Sequence, residues 1–263
     1  MRPQTLWKKK FLGYSDKMKI NVSIIIPFYN NYNYLIRALN SILKQSYKNY
    51  EILIINDNPE NKKILNLKKK FNKKKIKIIN NKKNYGAGLS RNKGIKISKG
   101  QYIAFLDSDD TWHKNKLNTQ IKFMKENKYL ASHTSYNLVD VNQNYISKRK
   151  ARNLKYIDLI KSCDIGLSTV ILKKNILKMK NPFPPLKTKE DYVLWLKLSK
   201  SGIIFYGLNK SFANWTNTPS SLSKSIIQKI KDSIRVYYRY EKLNLFQSLY
   251  RTFILSINYL KKN

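Results

Sequence analysis

The first hundred residues repeat one pattern: a short aliphatic run, then a stretch whose apolar residues recur every three to four positions. "VSIII", from Val22, is β-branched and stops at Pro27, as a buried strand would. "YLIRALNSILKQ" places Leu35, Ala38, Leu39, Ile42 and Leu43 at helical spacing. "YEILIIND", "KIKIIN" and "YIAFLD" read as further buried strands, separated by a charged helix around 60–71 and the helix "GLSRNKGIKIS". Strands that alternate with helices form βαβ units, and these demand a mostly parallel sheet with helices on both faces. Ligands of such sheets bind beyond the carboxyl ends of the strands, so functional side chains are sought there.

Beyond residue 113 the pattern loosens. A helix over 114–126 precedes the strand-like "YLASHTSYNLVD", a Lys/Arg-rich stretch at 148–155, the strand "LSTVILK" and the Pro-rich turn "NPFPPL". The helix "DYVLWLKLSKSG" ends at Gly202, a natural C-cap, and the strand "IIFYG" follows. From about Ser225 the chain reads as helix again. No repeat and no linker interrupts it. The expected organisation is a basic extension over 1–21, one α/β domain over 22–223, and a helical basic and aromatic tail over 224–263.

Composition narrows the function classes. With 263 residues and 42% hydrophobic content the chain can bury a full core, and 8 Gly with 7 Pro exclude a collagenous or linker-like protein. The single cysteine, Cys163, excludes an internal disulfide framework, and with only His113 and His133 a histidine-rich metal centre is not expected. The net charge is +38, carried by 45 lysines and only 8 arginines. A residue bias towards Lys, Asn and Ile explains most of it. Nucleic-acid readers favour arginine, so no nucleic-acid partner is expected. Lysine serves well against anionic lipid head groups, at ~1 kcal/mol per residue near the surface. No segment resembles a signal peptide, and no apolar run approaches the ~18 residues a spanning helix needs. The expected location is cytoplasmic, at most peripheral on the inner face of the cell membrane.

Because acids are scarce, their placement is informative. Of 15 Asp and Glu residues, three lie in "FLDSDD" (Asp107, Asp109, Asp110), two in "KED" (Glu190, Asp191), and Asp57 ends the second strand. Carboxylates gathered at strand ends repel one another, which a cation relieves. The plainer readings are that "DSDD" caps a helix starting near Trp112, Asp57 caps the segment after it, Glu190 caps the helix carrying Trp195, and Arg91 sits on a helix surface. The glycines of "YGAGLSRN" are neither a Walker A loop nor a dinucleotide fingerprint, and read as a tight turn into a helix.

"VSIIIPFYNNYNYLIRALNSILKQSYKNYEILIIND", "NYGAGLSRNKGIKISKGQYIAFLDSDD" and "KEDYVLWLKLSKSG" occur in the order that resembles the family 2 glycosyltransferases, over roughly Val22 to Ser223. The resemblance implies a GT-A-type mixed, mostly parallel sheet flanked by helices. It also implies a hexosyltransferase-type enzyme that moves a sugar from a nucleotide-sugar donor, of the UDP-sugar kind, to a hydroxyl acceptor with inversion. The acceptor class is a saccharide or lipid-linked saccharide of bacterial cell-surface polysaccharide or lipopolysaccharide assembly. By the same resemblance Pro27 and Tyr29 line the base and ribose site, Asp57 contacts the base and Arg91 reaches the nucleotide. In the DxD string, Asp107 lies near the ribose with Ser108 beside it, and Asp109 holds Mg²⁺ or Mn²⁺. Asp191 is the base, with Glu190 as its neighbour at the substrate.

These residue types suit that chemistry. A diphosphate leaving group gathers negative charge that a divalent cation can neutralise, and an attacking hydroxyl must lose its proton to a carboxylate. One departure stands out: the family's late Tyr-Arg-x-His segment is replaced here by "NWTNTPSSLS", with Trp215, Thr216 and Thr218, and Lys210 or Lys224 are the nearby cations. Two alternative functions are transfer to a polyprenyl phosphate, which needs no strong base, and binding of nucleic acid by the basic face. In the tail, Phe246, Leu249, Tyr250, Phe253, Ile257 and Leu260 share one helical stripe, which suits either a helix docked on the domain or one lying in a membrane interface.

Overall fold

The computed structural model describes residues 20–71, 75–218 and 225–260. Most of the basic extension and the junction expected at 223–224 therefore lie outside the described residues. Four parallel strands open the chain: β1 (Val22–Phe28), β2 (Tyr50–Asn56), β3 (Ile76–Asn80) and β4 (Tyr102–Phe105), in the order β3-β2-β1-β4. Their crossovers are α1 (Tyr32–Leu43), a 3₁₀ turn (Lys62–Asn66) running into α2 (Leu67–Lys70), and α3 (Ala87–Ile97). Then come β5 (Thr111–Trp112), α4 (Lys116–Glu126), β6 (Ala131–Val139), β7 (Tyr145–Arg149), α5 (Tyr156–Leu159), β8 (Ile171–Lys173), α6 (Glu190–Lys200) and β9 (Phe205–Thr216). The chain closes with α7 (Ile226–Arg235), a π-helical turn (Val236–Tyr240) and α8 (Leu245–Leu260).

The sheet continues β4-β8-β6-β9-β5, with β7 on β6. β8 is antiparallel to both β4 and β6, while β9 runs parallel to β6 and antiparallel to β5. Six of the nine described strands thus point one way, giving the expected mixed, mostly parallel sheet. Alternation along the strands divides the core. Ile24, Ile26, Ile52, Ile54 and Ala104 pack against Leu35, Leu39 and Ile42 of α1 and against Leu117, Ile121 and Met124 of α4. Ile25, Leu53, Ile55, Ile103 and Phe105 pack on the other face against Ile95 of α3 and Tyr192, Leu194 and Trp195 of α6. This is the period-2 pattern of a sheet covered on both sides.

Several boundaries differ from the sequence reading. β1 runs through Pro27 to Phe28, with Pro27 in register with Ile55. Proline is tolerated there because β4 pairs with β1 only as far as Ile25–Phe105, so the missing N–H faces a side with no partner strand. No helix begins near Trp112; Thr111 and Trp112 instead pair with Asn214 and Ala213. β9 extends twelve residues, far beyond "IIFYG", because β6 and β5 supply partners along its length. Of the Lys/Arg-rich stretch only Lys148 and Arg149 are in a strand, as the end of β7.

The helical tail joins the same core as α6. Val236, Tyr237 and Leu255 are buried in that cluster, and the hydroxyls of Tyr192 and Tyr237 are 3.0 Å apart. Asp232 of α7 is buried and accepts hydrogen bonds from the backbone N–H and the hydroxyl of Thr188 at 3.0 and 2.9 Å. α8 docks through Ser248, Thr252 and Leu255, while Phe246, Leu249, Tyr250, Phe253 and Leu260 of the stripe are exposed and Ile257 is half-buried. The stripe is therefore not the docked face.

Candidate active site

The acidic residues singled out in the sequence gather where β2, β4 and the N-terminus of α6 meet. The link between the last two is Arg91, on α3. One guanidinium nitrogen donates to Asp107 Oδ1 and the other to Glu190 Oε1, each at 2.6 Å. Arg91 is only 4% exposed, so it is not a surface helix residue. Burial works against its charge, but the carboxylates of Asp107 and Glu190 outweigh burial and raise its pKa above the ordinary value. Arg91 is thus a permanently charged clamp between the loop after β4 and the start of α6. Gly88 makes the approach possible: a Cβ there would lie 3.0 Å from Glu190 Cγ and from the Pro184 carbonyl oxygen. Gly86, at φ 88°, forms the turn into α3.

The loop after β4 is braced from three directions. Asp110 is buried, accepts from the Ser168 hydroxyl at 2.5 Å and from the Thr216 N–H at 3.0 Å, and has its pKa driven well up by burial and then by Asp109 and Asp107. Ser168 also accepts from the Asp107 N–H at 3.1 Å. Arg37 of α1 and the Thr216 hydroxyl both donate to the Asp109 carbonyl oxygen, at 3.0 and 2.6 Å. With its carbonyl held in this way, the Asp109 carboxylate stays within 3.5 Å of the Thr218 hydroxyl. Burial, and then the neighbouring Asp107, push Asp109 up to about 6. Ser108 sits partly buried between the two aspartates.

Asp191 follows Glu190 in the first turn of α6 and accepts from the Tyr192 N–H at 2.7 Å. Burial, followed by the adjacent Glu190, raises its pKa to about 7. Lys189 holds the N-cap position, so Glu190 is not the cap of α6. Asp57 is buried at the end of β2 and accepts from Asn81 Nδ2 at 2.7 Å and from the N–H groups of Tyr85 and Gly86 at 2.9 and 2.7 Å. It therefore anchors the turn before α3 and, among the described residues, keeps one lone pair free of protein partners. At the end of β1, Pro27 is buried within the strand and Tyr29, just beyond it, is 47% exposed.

Asp107 and Asp109 fit a hard divalent cation. They are oxygen donors on one short loop, and the repulsion that raises Asp109 is what a cation would relieve. No group of three or more His, Cys, Asp or Glu among the described residues could hold a metal. A cation here would draw the rest of its ligands from phosphate oxygens and water, as Mg²⁺ commonly does.

The sequence model described as glycosyl transferase family 2 matches residues 23–180. The chain belongs to this family. The chain is 36% identical over 217 residues to the Escherichia coli UDP-Glc:alpha-D-GlcNAc-diphosphoundecaprenol beta-1,3-glucosyltransferase WfgD, covering 80% of this chain and 82% of that protein. The putative teichuronic acid biosynthesis glycosyltransferase TuaG of Bacillus subtilis is 32% identical over 231 residues, 86% of this chain and 91% of its own. An uncharacterized glycosyltransferase of Rickettsia bellii is 38% identical over 187 residues, but the match spans 27% of that protein. Among solved structures, S. aureus TarS 1-349 in complex with UDP-GlcNAc superposes with a TM-score of 0.66 at 21% identity, covering 87% of this chain and 69% of that one. The fold of this family 2 glycosyltransferase is accordingly GT-A.

Four residues of the site were not foreseen as site residues. Thr216 and Thr218 stand in the segment that departs from the family pattern, and that departure was their signal. Arg37 could have been found by scarcity, being one of eight arginines in a lysine-rich chain. Ser168 carried no signal at all. Of the two lysines near the departure, Lys210 is exposed on β9 and Lys224 lies outside the described residues.

Proposed function

We propose that this glycosyltransferase transfers a sugar from a UDP-sugar-type donor to a hydroxyl of a saccharide or lipid-linked saccharide, with inversion, in bacterial cell-surface polysaccharide assembly. Asp191 is the proposed base. In a single displacement the acceptor oxygen bonds to the anomeric carbon, the bond from that carbon to the diphosphate breaks, and the acceptor proton passes to Asp191. The observation that carries this reading is the Arg91 clamp, which holds the DSD loop and the first turn of α6 against each other. Because its pKa is raised to about 7, Asp191 is a stronger base than an ordinary carboxylate while still ionised in a useful fraction near neutrality.

Asp109, with Asp107 beside it, would hold Mg²⁺ or Mn²⁺, which when bound neutralises charge building on the departing diphosphate. Thr218 approaches the Asp109 carboxylate from the segment that replaces the family's late Tyr-Arg-x-His. Asp57, Tyr29 and Pro27 are proposed at the base and ribose, with the free lone pair of Asp57 as the acceptor. WfgD, by its name, acts on a diphosphoundecaprenol-linked sugar, which supports an acceptor presented at a membrane, and a peripheral, cytoplasmic-side location is proposed to go with it. Among the described residues no helix is long and apolar enough to cross a membrane.

The test is a panel of nucleotide sugars scored for slow hydrolysis and for transfer to a lipid-diphosphate-linked saccharide, with and without Mg²⁺ or Mn²⁺. Metal-stimulated cleavage of a UDP-sugar is expected. Inability to bind or cleave any nucleotide sugar would reject the reading.

A further inference from the structure

We infer that the outward face of α7 and α8 is a docking surface for an anionic lipid bilayer. This gives the proposed peripheral location a specific surface, and it rests on that location rather than on the transfer chemistry. α8 packs on the domain through a side that includes two hydroxyl residues, Ser248 and Thr252, with Leu255. Its apolar stripe points the other way: Phe246 is 85% exposed, Phe253 62% and Leu260 70%, with Leu249 and Tyr250 between them. A helix that buries hydroxyls and exposes phenylalanines is inverted relative to an ordinary surface helix. α7 does the same, burying Asp232 and Ser233 while Ile226, Ile227 and Ile230 are exposed. Lys229 lies 5.1 Å above the Tyr259 ring, so the first turn of α7 is beside the last turn of α8.

Charge selects the occupant. Residues 225–260 contain six basic residues and two acids. Both acids are buried and bonded: Asp232 to Thr188 and Arg235, and Glu241 to Lys200 and Tyr156. Every exposed charge of residues 225–260 is therefore positive, Lys231, Arg235, Arg239 and Lys242 among them, and no exposed carboxylate of this segment repels a negative surface. That combination suits a bilayer of anionic head groups, where acyl chains accept the aromatics and phosphates accept the cations. A second copy of this chain would bring the same positive charge against itself. The arrangement also has a consequence for the site. Asp232 bonds to Thr188, two residues before Glu190, so the helices that would lie on the bilayer also hold the loop leading to Asp191.

The experiment compares the full chain with the double variant Phe246→Glu/Phe253→Glu. It reads co-sedimentation with vesicles of phosphatidylglycerol and phosphatidylcholine, and with phosphatidylcholine alone. Wild type should partition to the anionic vesicles, less so as salt rises, and weakly to the neutral ones. The variant should lose at least about tenfold in partitioning, since each buried aromatic contributes substantially to the transfer. Its melting temperature and metal-dependent UDP-sugar cleavage in lipid-free buffer should be unchanged, so the docking and the chemistry can fail separately. Equal binding by both proteins would overturn the inference in favour of the diffuse lysine surface. A lipid-free dimer that the variant abolishes, without vesicle binding, would assign the face to a second copy. Vesicle binding that appears only after removal of residues 1–19 would assign it to that segment.

Discussion

Replacing Arg91 with Met keeps a long side chain in place and removes the one charge that separates two carboxylates. Arg91 makes two hydrogen bonds of 2.6 Å to ionised partners, with Asp107 30% and Glu190 11% exposed. Charge-assisted bonds of this kind contribute ~1.5–3 kcal/mol each. Breaking a buried pair from one side costs ~3–5 kcal/mol, because the carboxylates left behind have lost both solvent and partner. For a domain of this size that corresponds to a fall of about 6–20 °C in melting temperature. Arg91→Lys should be intermediate, since one ammonium cannot span both carboxylates as the planar fork does. Adding Glu190→Gln to Arg91→Met should cost less than the sum of the two single changes, as expected for groups in direct contact. Thermal unfolding of wild type, Arg91→Met, Arg91→Lys, Glu190→Gln and the double variant at neutral pH reads all of this. A loss below about 1 kcal/mol, the range of an exposed surface pair, would refute the clamp. So would strict additivity with Glu190→Gln.

The remaining predictions concern the carboxylates. Asp191→Asn should lower transfer by ~10²–10⁴-fold while UDP binding, measured by calorimetry, persists. In the wild type kcat/KM should climb with pH through about 7, as the base loses its proton, and then level off. Asp109→Asn should abolish the response of turnover to added Mg²⁺ or Mn²⁺ with the circular dichroism spectrum unchanged, and full activity of wild type in excess chelator would contradict a metal role. Ligand-free stability should fall as pH rises. Asp109 and Asp191 hold protons up to about 6 and about 7 in the folded state but only to ~3.9 when unfolded, so the stabilisation is complete below the unfolded value and lost through the folded ones. Melting temperature measured between about pH 5 and pH 7.5 should show this decline, flattened by Asp109→Asn and by Asp191→Asn.

The parallel half of the sheet was legible in the residue pattern. "VSIII", "YEILIIND" and "KIKIIN" are buried runs whose period and spacing leave no alternative to βαβ crossovers, and the scarcity of acids marked Asp57, Asp107, Asp109, Glu190 and Asp191 from the start. What it could not determine were contacts between residues far apart in the chain. Pro27 read as a strand end because its missing N–H counts against pairing; only the early departure of β4 makes it harmless. Trp112 read as the start of a helix because nothing local announces that β9, a hundred residues later, will pair with it. Arg91 could be placed on a helix but not given its two partners, 16 and 99 residues away, which the packing of α3 against the turn before α6 decides. Ser168 had no sequence signal because a serine acquires meaning only from what it touches. The tail shows the limit most clearly: period alone located the apolar stripe of α8, but a stripe can be buried in protein or turned outward. It is the docking of Ser248, Thr252 and Leu255 on the domain that turns most of the stripe outward.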